Sequence, residues 1–490
     1  MNLRQAVKTL LGVGSVDVAE LNRRATHDHE RPKLKTVGSD PLGEIVVNDE
    51  YQTVRALIEA GSPVVFVTGN AGTGKSTLIR YLSNVLDLRL VVVAPTGVAA
   101  LNVGGVTIHS FFQLPPKIHE EADIKRVYDR KLYQKLELII VDEVSMVRCD
   151  LIDSMDRFLR KNRSSKEPFG GVQLLLVGDL FQLAPVAPKQ EWDVLRTKGY
   201  TSPYFFSSFS LQRTSLVPVE LTITYRQEDR TFVDLLNRTR IADDIDSRIR
   251  ELNGHCWKQE GSRADLTLTS TNNGADQINR GRLHRLPNNE VLFKGRIEGK
   301  FNIEESRLPS PFDLRLKTGA HVMFTKNDEH KRWVNGTLGV ISKIDQGTVQ
   351  VELISDSRGM IYDVLPVTWE KYKYAYDQQE DAIVARVEGQ YTQFPLMLAW
   401  AVTIHKSQGK TLDSVRIDLG SGAFAFGQAY VALSRCRSIE GIQLARPIRK
   451  SDVKCDPIVK RFYFALVEMS GEMRDQNTNV SEVLQSTTDR

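Results

Sequence analysis

The stretch Gly69-Asn-Ala-Gly-Thr-Gly-Lys-Ser76 decides the reading of this chain. It fits the pattern G-x-x-x-x-G-K-[ST] and follows the apolar run Pro63-Val-Val-Phe-Val-Thr68. The pattern after it predicts a helix from about Ser76 to Leu86. Strand, loop and helix in that order give the pattern its physical content. The glycines let the backbone curl so that successive N–H groups point inward at phosphate oxygens. The helix N-terminus adds a partial positive charge. Lys75 is placed to reach the β- and γ-phosphates, and the Ser76 hydroxyl to bind Mg²⁺. Gly69, Asn70, Ala71, Gly72, Thr73, Gly74, Lys75, Ser76 and Thr77 therefore form the candidate nucleotide cradle. A plain Gly-rich turn is the competing reading, and the flanking strand and helix argue against it. The chain is expected to bind a nucleoside triphosphate.

Outward from this loop the pattern alternates. Strand-like runs at 63–68, 88–94, 136–141 and 171–178 are mostly separated by helical stretches, which predicts a parallel sheet wrapped by helices. A second set begins near Leu266-Thr-Leu-Thr-Ser-Thr271 and resumes at Met397–Ile404, Val415–Leu419 and Ile442–Ala445. Between them, 315–392 carries short runs (320–325, 337–344, 348–353, 361–368) split by Gly, Asn and Asp turns. A small antiparallel barrel inserted in the second α/β unit is expected there. Residues 1–45 show one short amphipathic pattern, Leu3–Leu11, and a polar linker in which His27 and His29 read as solvated. From about 471 the chain is polar and poor in apolar residues, so disorder is expected.

Composition sets bounds. At 490 residues, 41% hydrophobic and 26% charged, the chain reads as a globular protein of two to four domains. The balance of 65 Lys+Arg against 61 Asp+Glu leaves +4, which permits a polyanionic partner without arguing for one. Cys149, Cys256, Cys436 and Cys455 lack metal-ligand spacing, so a reduced cytosol is the default and a zinc site is not expected. Apolar runs such as Leu136–Val141 are too short to span a membrane, and the N-terminus lacks the features of a signal peptide. That suits a cytoplasmic protein of a bacterium or phage.

Two further strand ends carry acids or amides. Leu138-Ile-Ile-Val-Asp-Glu143 is a buried strand ending in two carboxylates. Ligands of such sheets sit at the carboxyl ends of strands. Asp142 would hold Mg²⁺, and Glu143 would orient and deprotonate the attacking water. An N-cap for the next helix is the plainer alternative. In Gly178-Asp-Leu-Phe-Gln-Leu183, Gln182 is placed to sense the γ-phosphate; a surface turn is the alternative.

Taken in order, these segments resemble superfamily 1 helicases of the 5′→3′ branch (superfamily 1B), and within it the Pif-type (petite integration frequency) family, over about 46–450. Ala94-Pro-Thr-Gly-Val-Ala-Ala and Gly104-Gly-Val-Thr-Ile-His-Ser-Phe-Phe112 resemble the family's DNA-contacting segment. Val141-Asp-Glu-Val-Ser-Met146, Pro168-Phe-Gly-Gly-Val-Gln-Leu174, Leu221-Thr-Ile-Thr-Tyr-Arg-Gln227, Thr403-Ile-His-Lys-Ser-Gln-Gly-Lys-Thr411 and Tyr430-Val-Ala-Leu-Ser-Arg-Cys-Arg437 are similar to later motifs. The related RecD branch shares much of this vocabulary, and Thr107–Phe112 with Val431–Arg435 tip the comparison to the Pif side. Ala184 stands where the family usually has proline.

The resemblance implies an α/β fold of two RecA-like motor domains. It divides the chain into a leader (1–45), a first RecA-like domain (46–215), a second one in two parts (216–314 and 393–465), a small Src-homology-like β-barrel insertion (315–392) and a tail (466–490). Residues 113–135 would be a wedge at the duplex fork. ATP, with Mg²⁺ on Ser76 and Asp142, would lie between the two domains. Arg226 and Arg435 would come from the second domain to touch the γ-phosphate, with Gln408 a further contact and Gln52, 23 residues before Lys75, reading the adenine edge. Single-stranded DNA would cross Thr96, Thr107, His109, Ser110 and Phe111 in the first domain, and Thr271, Asn272, Thr403, His405 and Lys406 in the second. Phe111 or Phe112 would stack on bases, the other packing in the core. The implied activity is ATP-driven 5′→3′ DNA unwinding, with roles in DNA repair, recombination and telomere maintenance. The alternatives are a translocase that displaces proteins without separating strands, and a dead nucleotide fold. Forks, guanine quadruplexes and RNA–DNA hybrids stay open as substrates, and a monomer is expected when free.

Overall fold

The structure of the chain is a computed structural model, and it describes residues 47–467 apart from 228, 258–265, 302, 306–307, 346 and 355–358. The leader pattern, His27, His29 and the tail from 468 lie outside the described residues. The first unit runs α1 (Asp49–Glu59), β1 (Val64–Gly69), α2 (Lys75–Val85), β2 (Leu90–Ala94), α3 (Gly97–Asn102), β3 (Val106–Thr107), α4 (Ile108–Phe111), α5 (Lys131–Lys135), β4 (Leu138–Val141), α6 (Cys149–Arg163), β5 (Gln173–Val177), α7 (Lys189–Thr197) and β6 (Leu216–Leu221). Its six strands form one parallel sheet in the order β3-β2-β4-β5-β1-β6. Every residue of β1 is buried, because layers cover both faces, and such strands read as unbroken apolar runs. Val65 and Val67 pack with Tyr51, Leu78 and Leu82 on one side; Phe66 packs with Phe205 and Phe462 on the other.

β6 was not among the expected strands, since its sequence Leu-Val-Pro-Val-Glu-Leu is broken by Pro218. An edge strand tolerates proline because one side needs no ladder donor, and among the described residues β6 pairs only with β1. The first sheet therefore extends to Leu221, past the boundary expected at 215.

The second unit begins with α8 (Arg230–Arg240), α9 (Ile245–Cys256), β7 (Thr267–Thr269) and α10 (Asn272–Arg285). The chain then leaves it through β8 (Val291–Lys294), β9 (Arg296–Gly299), β10 (Asp313–Leu316), β11 (His321–Phe324), β12 (Leu338–Asp345), β13 (Thr348–Leu353), β14 (Ile361–Val364), β15 (Val367–Asp377), β16 (Ala382–Gln393) and β17 (Leu396–Leu398). It returns as β18 (Ala401–Thr403), β19 (Val415–Asp418), α11 (Gln428–Leu433) and β20 (Ile442–Leu444). The second sheet is parallel, in the order β18-β7-β19-β20.

The expected run Met397–Ile404 divides between two sheets: β17 pairs antiparallel with β11, and β18 pairs parallel with β7. Where a small barrel was expected over 315–392, the strands that the structure describes form a five-stranded antiparallel sheet, β14-β13-β12-β11-β17, over a small core containing Phe324, Trp333 and Val351. A long hairpin, β15 and β16, joins β9 in a separate sheet. Tyr372, Tyr374 and Tyr376 of this hairpin pack on the main core, and the Val92 N–H donates to Tyr374 Oη at 3.3 Å.

Residues 113–135 contain α5 but no strand. They are pinned to α6, where Asn162 accepts from the Val127 N–H at 2.9 Å and donates to the Lys125 carbonyl at 3.1 Å. Tyr128 in this segment is fully exposed. At the other end, a helix over 457–467 folds back on the first sheet, with Phe462 stacked on Phe206 at 4.0 Å. Leu466 is buried there, so the tail expected from 466 starts inside a packed helix. Among the described residues no helix is long and apolar enough to cross a membrane.

Candidate active site and nucleic-acid interface

The loop between β1 and α2 is built for close approach. Gly72 and Gly74 have φ of 88° and 84°, a region other residues enter with strain. A Cβ on Gly72 would stand 2.5 Å from Arg226 Cβ. Gly74 offers α2 no side-chain cap, which leaves the first-turn amides free for an anion. Lys75 Nζ donates to the carbonyls of Gly69 and Asn70, both at 2.8 Å. Burial lowers its pKa, opposed by the carboxylates of Asp179 and Glu143. Ser76 is exposed at the loop's mouth, and Thr77 is partly exposed. This loop, its bare helix start and the acids across from it fit a triphosphate with a divalent cation.

Asp142 and Glu143 follow β4. The Glu143 N–H donates to Asp142 Oδ1 at 2.9 Å. Glu143 sits at φ 50°, ψ 42°, a left-handed conformation that costs a non-glycine residue about 1–3 kcal/mol. Strain of this kind collects at functional sites. Burial, followed by the neighbouring Glu143, pushes Asp142 up to about 7, while Lys75 pulls it down. Burial also raises Glu143, against the opposing charges of Lys75 and Arg435.

The two arginines reach the cleft from different places. Arg435 is buried at the end of α11, donating to Val431 O and Ser434 Oγ at 2.9 Å. Arg226 was expected from the second unit; it instead follows β6, on the strand-end that links the two units. It crosses to the second unit by donating to Thr411 Oγ1 at 3.0 Å and Ser434 O at 3.3 Å. Burial, then the charge of Arg435, lowers Arg226 to about 9.

A continuous chain of hydrogen bonds, buried as far as Gln182, joins the phosphate loop to the second unit. The Ala71 N–H donates to Tyr430 Oη at 3.1 Å, and Tyr430 donates to Asp179 Oδ2 at 3.2 Å. Gln182 Nε2 donates to the same oxygen at 3.0 Å, and Gln408 Nε2 donates to Gln182 Oε1 at 3.3 Å. Gln182 is thus buried, not a surface turn residue. Sequence reasoning gave no role to Asp179 or Tyr430. The signal for Asp179 was its place directly after a strand-end glycine.

Arg240 was also missed. It lies on the apolar face of α8 with Phe232 and Leu236, its guanidinium 4.6 Å from the Phe181 ring and 4.9 Å from Tyr463. One turn earlier, Asn237 accepts from Asn70 Nδ2 at 2.5 Å. Gln52 is exposed on α1, while its neighbour Tyr51 is buried and donates to Gly74 O at 2.8 Å.

The candidate DNA residues share one device. Thr96, Thr107 and Thr271 are N-caps of α3, α4 and α10, each accepting a first-turn N–H at 3.2 Å. Thr403 accepts from the Lys406 N–H at 3.3 Å in the same way. Thr107 and Thr403 end a parallel strand, and Thr96 and Thr271 stand two residues past one. Ser110, Asn272, His405 and Lys406 are exposed beside these caps, and His109 is partly exposed with its pKa lowered by burial. The aromatic expectation fails: Phe111 and Phe112 are both buried, in edge contact at 4.9 Å, and Tyr133 donates to Phe111 O at 2.8 Å. Neither ring is available to a base.

A family model described as PIF1-like helicase matches residues 47–246. The ATP-dependent DNA helicase Pif1 of Bdellovibrio bacteriovorus is 36% identical over 440 residues, which cover 87% of this chain and 93% of that protein. The chain belongs to the PIF1-like helicase family. The human ATP-dependent DNA helicase PIF1 is 34% identical over 433 residues, 85% of this chain and 63% of its own length, so this PIF1-like chain spans under two thirds of that relative. The Bacteroides sp Pif1 crystal structure in complex with ADP-AlF4 is 35% identical with a TM-score of 0.80, covering 87% of this chain and 98% of that one. A crystal structure of the Bacteroides Pif1 helicase with ADP-AlF3 and ssDNA is 35% identical with a TM-score of 0.61, covering 88% and 98%. The two parallel sheets are the RecA-like core of this family.

Proposed function

We propose that this chain is an ATP-dependent DNA helicase that moves 5′→3′ on single-stranded DNA and separates strands at forks. The observation that carries this reading is the hydrogen-bonded chain Ala71–Tyr430–Asp179–Gln182–Gln408, which ties the phosphate loop to the unit bearing Thr403 and His405. A nucleotide event at one end has a rigid route to the strand-binding edge at the other. The Pif1 helicase of Bdellovibrio bacteriovorus, and the Bacteroides Pif1 structure with a nucleotide analogue and single-stranded DNA, agree with it.

In this reading Lys75 exchanges its two loop carbonyls for phosphate oxygens, and the bare amides at the start of α2 hold the rest. Mg²⁺ on Ser76 and Asp142 would neutralise charge on the β- and γ-oxygens. Glu143, raised by burial, accepts a proton from the attacking water. Gln182 and Gln408 sense the γ-phosphate, and Arg226 and Arg435 stabilise charge that develops in transfer. Both guanidiniums are bound to carbonyl or hydroxyl oxygens and lack a carboxylate partner among their hydrogen bonds, so an anion gains most from them. Gln52 reads the adenine edge from α1. The strand's phosphates lie along the capped threonines, residues 113–135 serve as the wedge, and the antiparallel insertion covers the bound strand.

The test uses a forked duplex with one single-stranded tail. Unwinding with a 5′ tail and none with a 3′ tail is expected. Streptavidin displacement without strand separation would make the chain a translocase instead.

A further inference from the structure

Phe111 and Phe112 lie in the core, so neither phenyl ring of the proposed DNA path can meet a base, and the molecule exposes two others nearby. The second sheet is parallel, so the carboxyl ends of β18, β7 and β19 emerge at one edge. Thr403 and Asp418 both pair with Thr269 in register. From that edge β18 runs into His405 and Lys406, and β7 into Thr271 and Asn272. β19 runs into Gly420-Ser-Gly-Ala-Phe-Ala-Phe-Gly427, which no motif assignment used.

Phe424 and Phe426 in this loop are 60% and 41% exposed. The loop beneath them is fixed. The Ala423 N–H donates to Asp452 at 3.1 Å, and Asp452 is held by Arg446 at 2.8 and 2.9 Å. Buried Gln428 accepts from the Phe424 N–H at 3.0 Å and donates to the Ser270 carbonyl at 3.4 Å, directly before Thr271. Gly427 presses on the Phe181 and Gln182 carbonyls, where any Cβ would collide. One loop thus touches the γ-phosphate sensor, the strand-binding edge and solvent. Rings held out on a braced backbone, beside phosphate-binding caps and a lysine, are what a single strand's bases require.

We propose that Phe424 and Phe426 are a base-stacking subsite for single-stranded DNA. The proposal rests on the DNA-helicase reading above. Because every base has a π-face, the subsite is indifferent to sequence and selective for bases over bare backbone.

The test compares binding of oligothymidylate and of an abasic strand of equal length, by fluorescence anisotropy. The parent protein should prefer thymidylate. Phe424→Ala/Phe426→Ala should lose about tenfold or more on thymidylate and less than about twofold on the abasic strand. Phe424→Trp should keep thymidylate affinity and show emission quenched by thymidylate but not by the abasic strand. Equal losses on both strands, or no loss on either, would overturn the proposal. So would unchanged DNA affinity with an altered sedimentation coefficient, which would make the rings a protein interface. A parent protein that binds neither strand would instead remove the helicase reading itself.

Discussion

The two parallel sheets use the same device for one task and different devices for the other. Toward the proposed strand path both place a threonine cap at or just past a strand's end: Thr96 and Thr107 in the first unit, Thr271 and Thr403 in the second. Toward the cleft they diverge. The first unit brings a glycine loop, a lysine and two carboxylates; the second brings Arg435 and Tyr430. On the proposed reading the phosphate site is split, and neither half holds a complete set of groups for hydrolysis. The difference would make nucleotide turnover depend on how the two halves meet.

Removing a group from the first half should have the largest effect. Lys75→Ala should take hydrolysis and unwinding below detection while single-stranded DNA binding stays largely intact, checked by phosphate release and anisotropy. Near-normal hydrolysis would mean the loop is not the nucleotide site. Arg435→Ala should keep ATP binding within a modest factor and lower turnover by ~10³-fold or more. Arg435→Lys should rescue poorly, since an ammonium lacks the planar two-donor fork. Glu143→Gln should bind ATP and hydrolyse it ~10²–10⁴-fold more slowly. Normal turnover there would move the base to Asp142.

The smallest effect concerns the seam itself. Tyr430→Phe removes the hydroxyl between Ala71 and Asp179 and keeps the ring. Loss of hydrogen bonds worth about 1 kcal/mol each should lower DNA-stimulated turnover by about two- to tenfold. Thymidylate affinity should not change. An unchanged stimulation would leave the hydrogen-bonded chain as packing alone.

Much of the fold was legible because fully buried parallel strands are continuous apolar runs; Val64–Gly69, Leu138–Val141 and Gln173–Val177 all read this way. The edges were not. β3 has only two residues, and β6 contains Pro218. β15 begins inside the run expected at 361–368, which also spans β14, and the register shift at Lys371–Tyr372 leaves Glu388 of β16 without a partner in β15. In the site, motif order named Lys75, Asp142, Glu143, Gln182 and Arg435, and the structure brings them near one another: Lys75 and Arg435 both act on Glu143, and Gln182 reaches Asp179, whose charge acts on Lys75. Motif order could not tell an exposed ring from a buried one: Phe111 and Phe112 sit in a motif yet pack inside, whereas Phe424 and Phe426 face solvent. Arg240 escaped because a charge at helical spacing from Phe232 and Leu236 looks like a break in the apolar face. The rings of Phe181 and Tyr463, the Glu220 carboxylate at 3.8 Å and the charge of Asp179 explain it.

The most direct test of the split site is phosphate release measured with and without saturating single-stranded DNA, in the parent protein and in Arg435→Ala. The parent should be strongly stimulated by DNA, and the variant should show neither turnover nor stimulation while still binding ATP. A parent rate indifferent to DNA, or a variant that keeps DNA-stimulated turnover, would contradict the dependence of the chemistry on both halves.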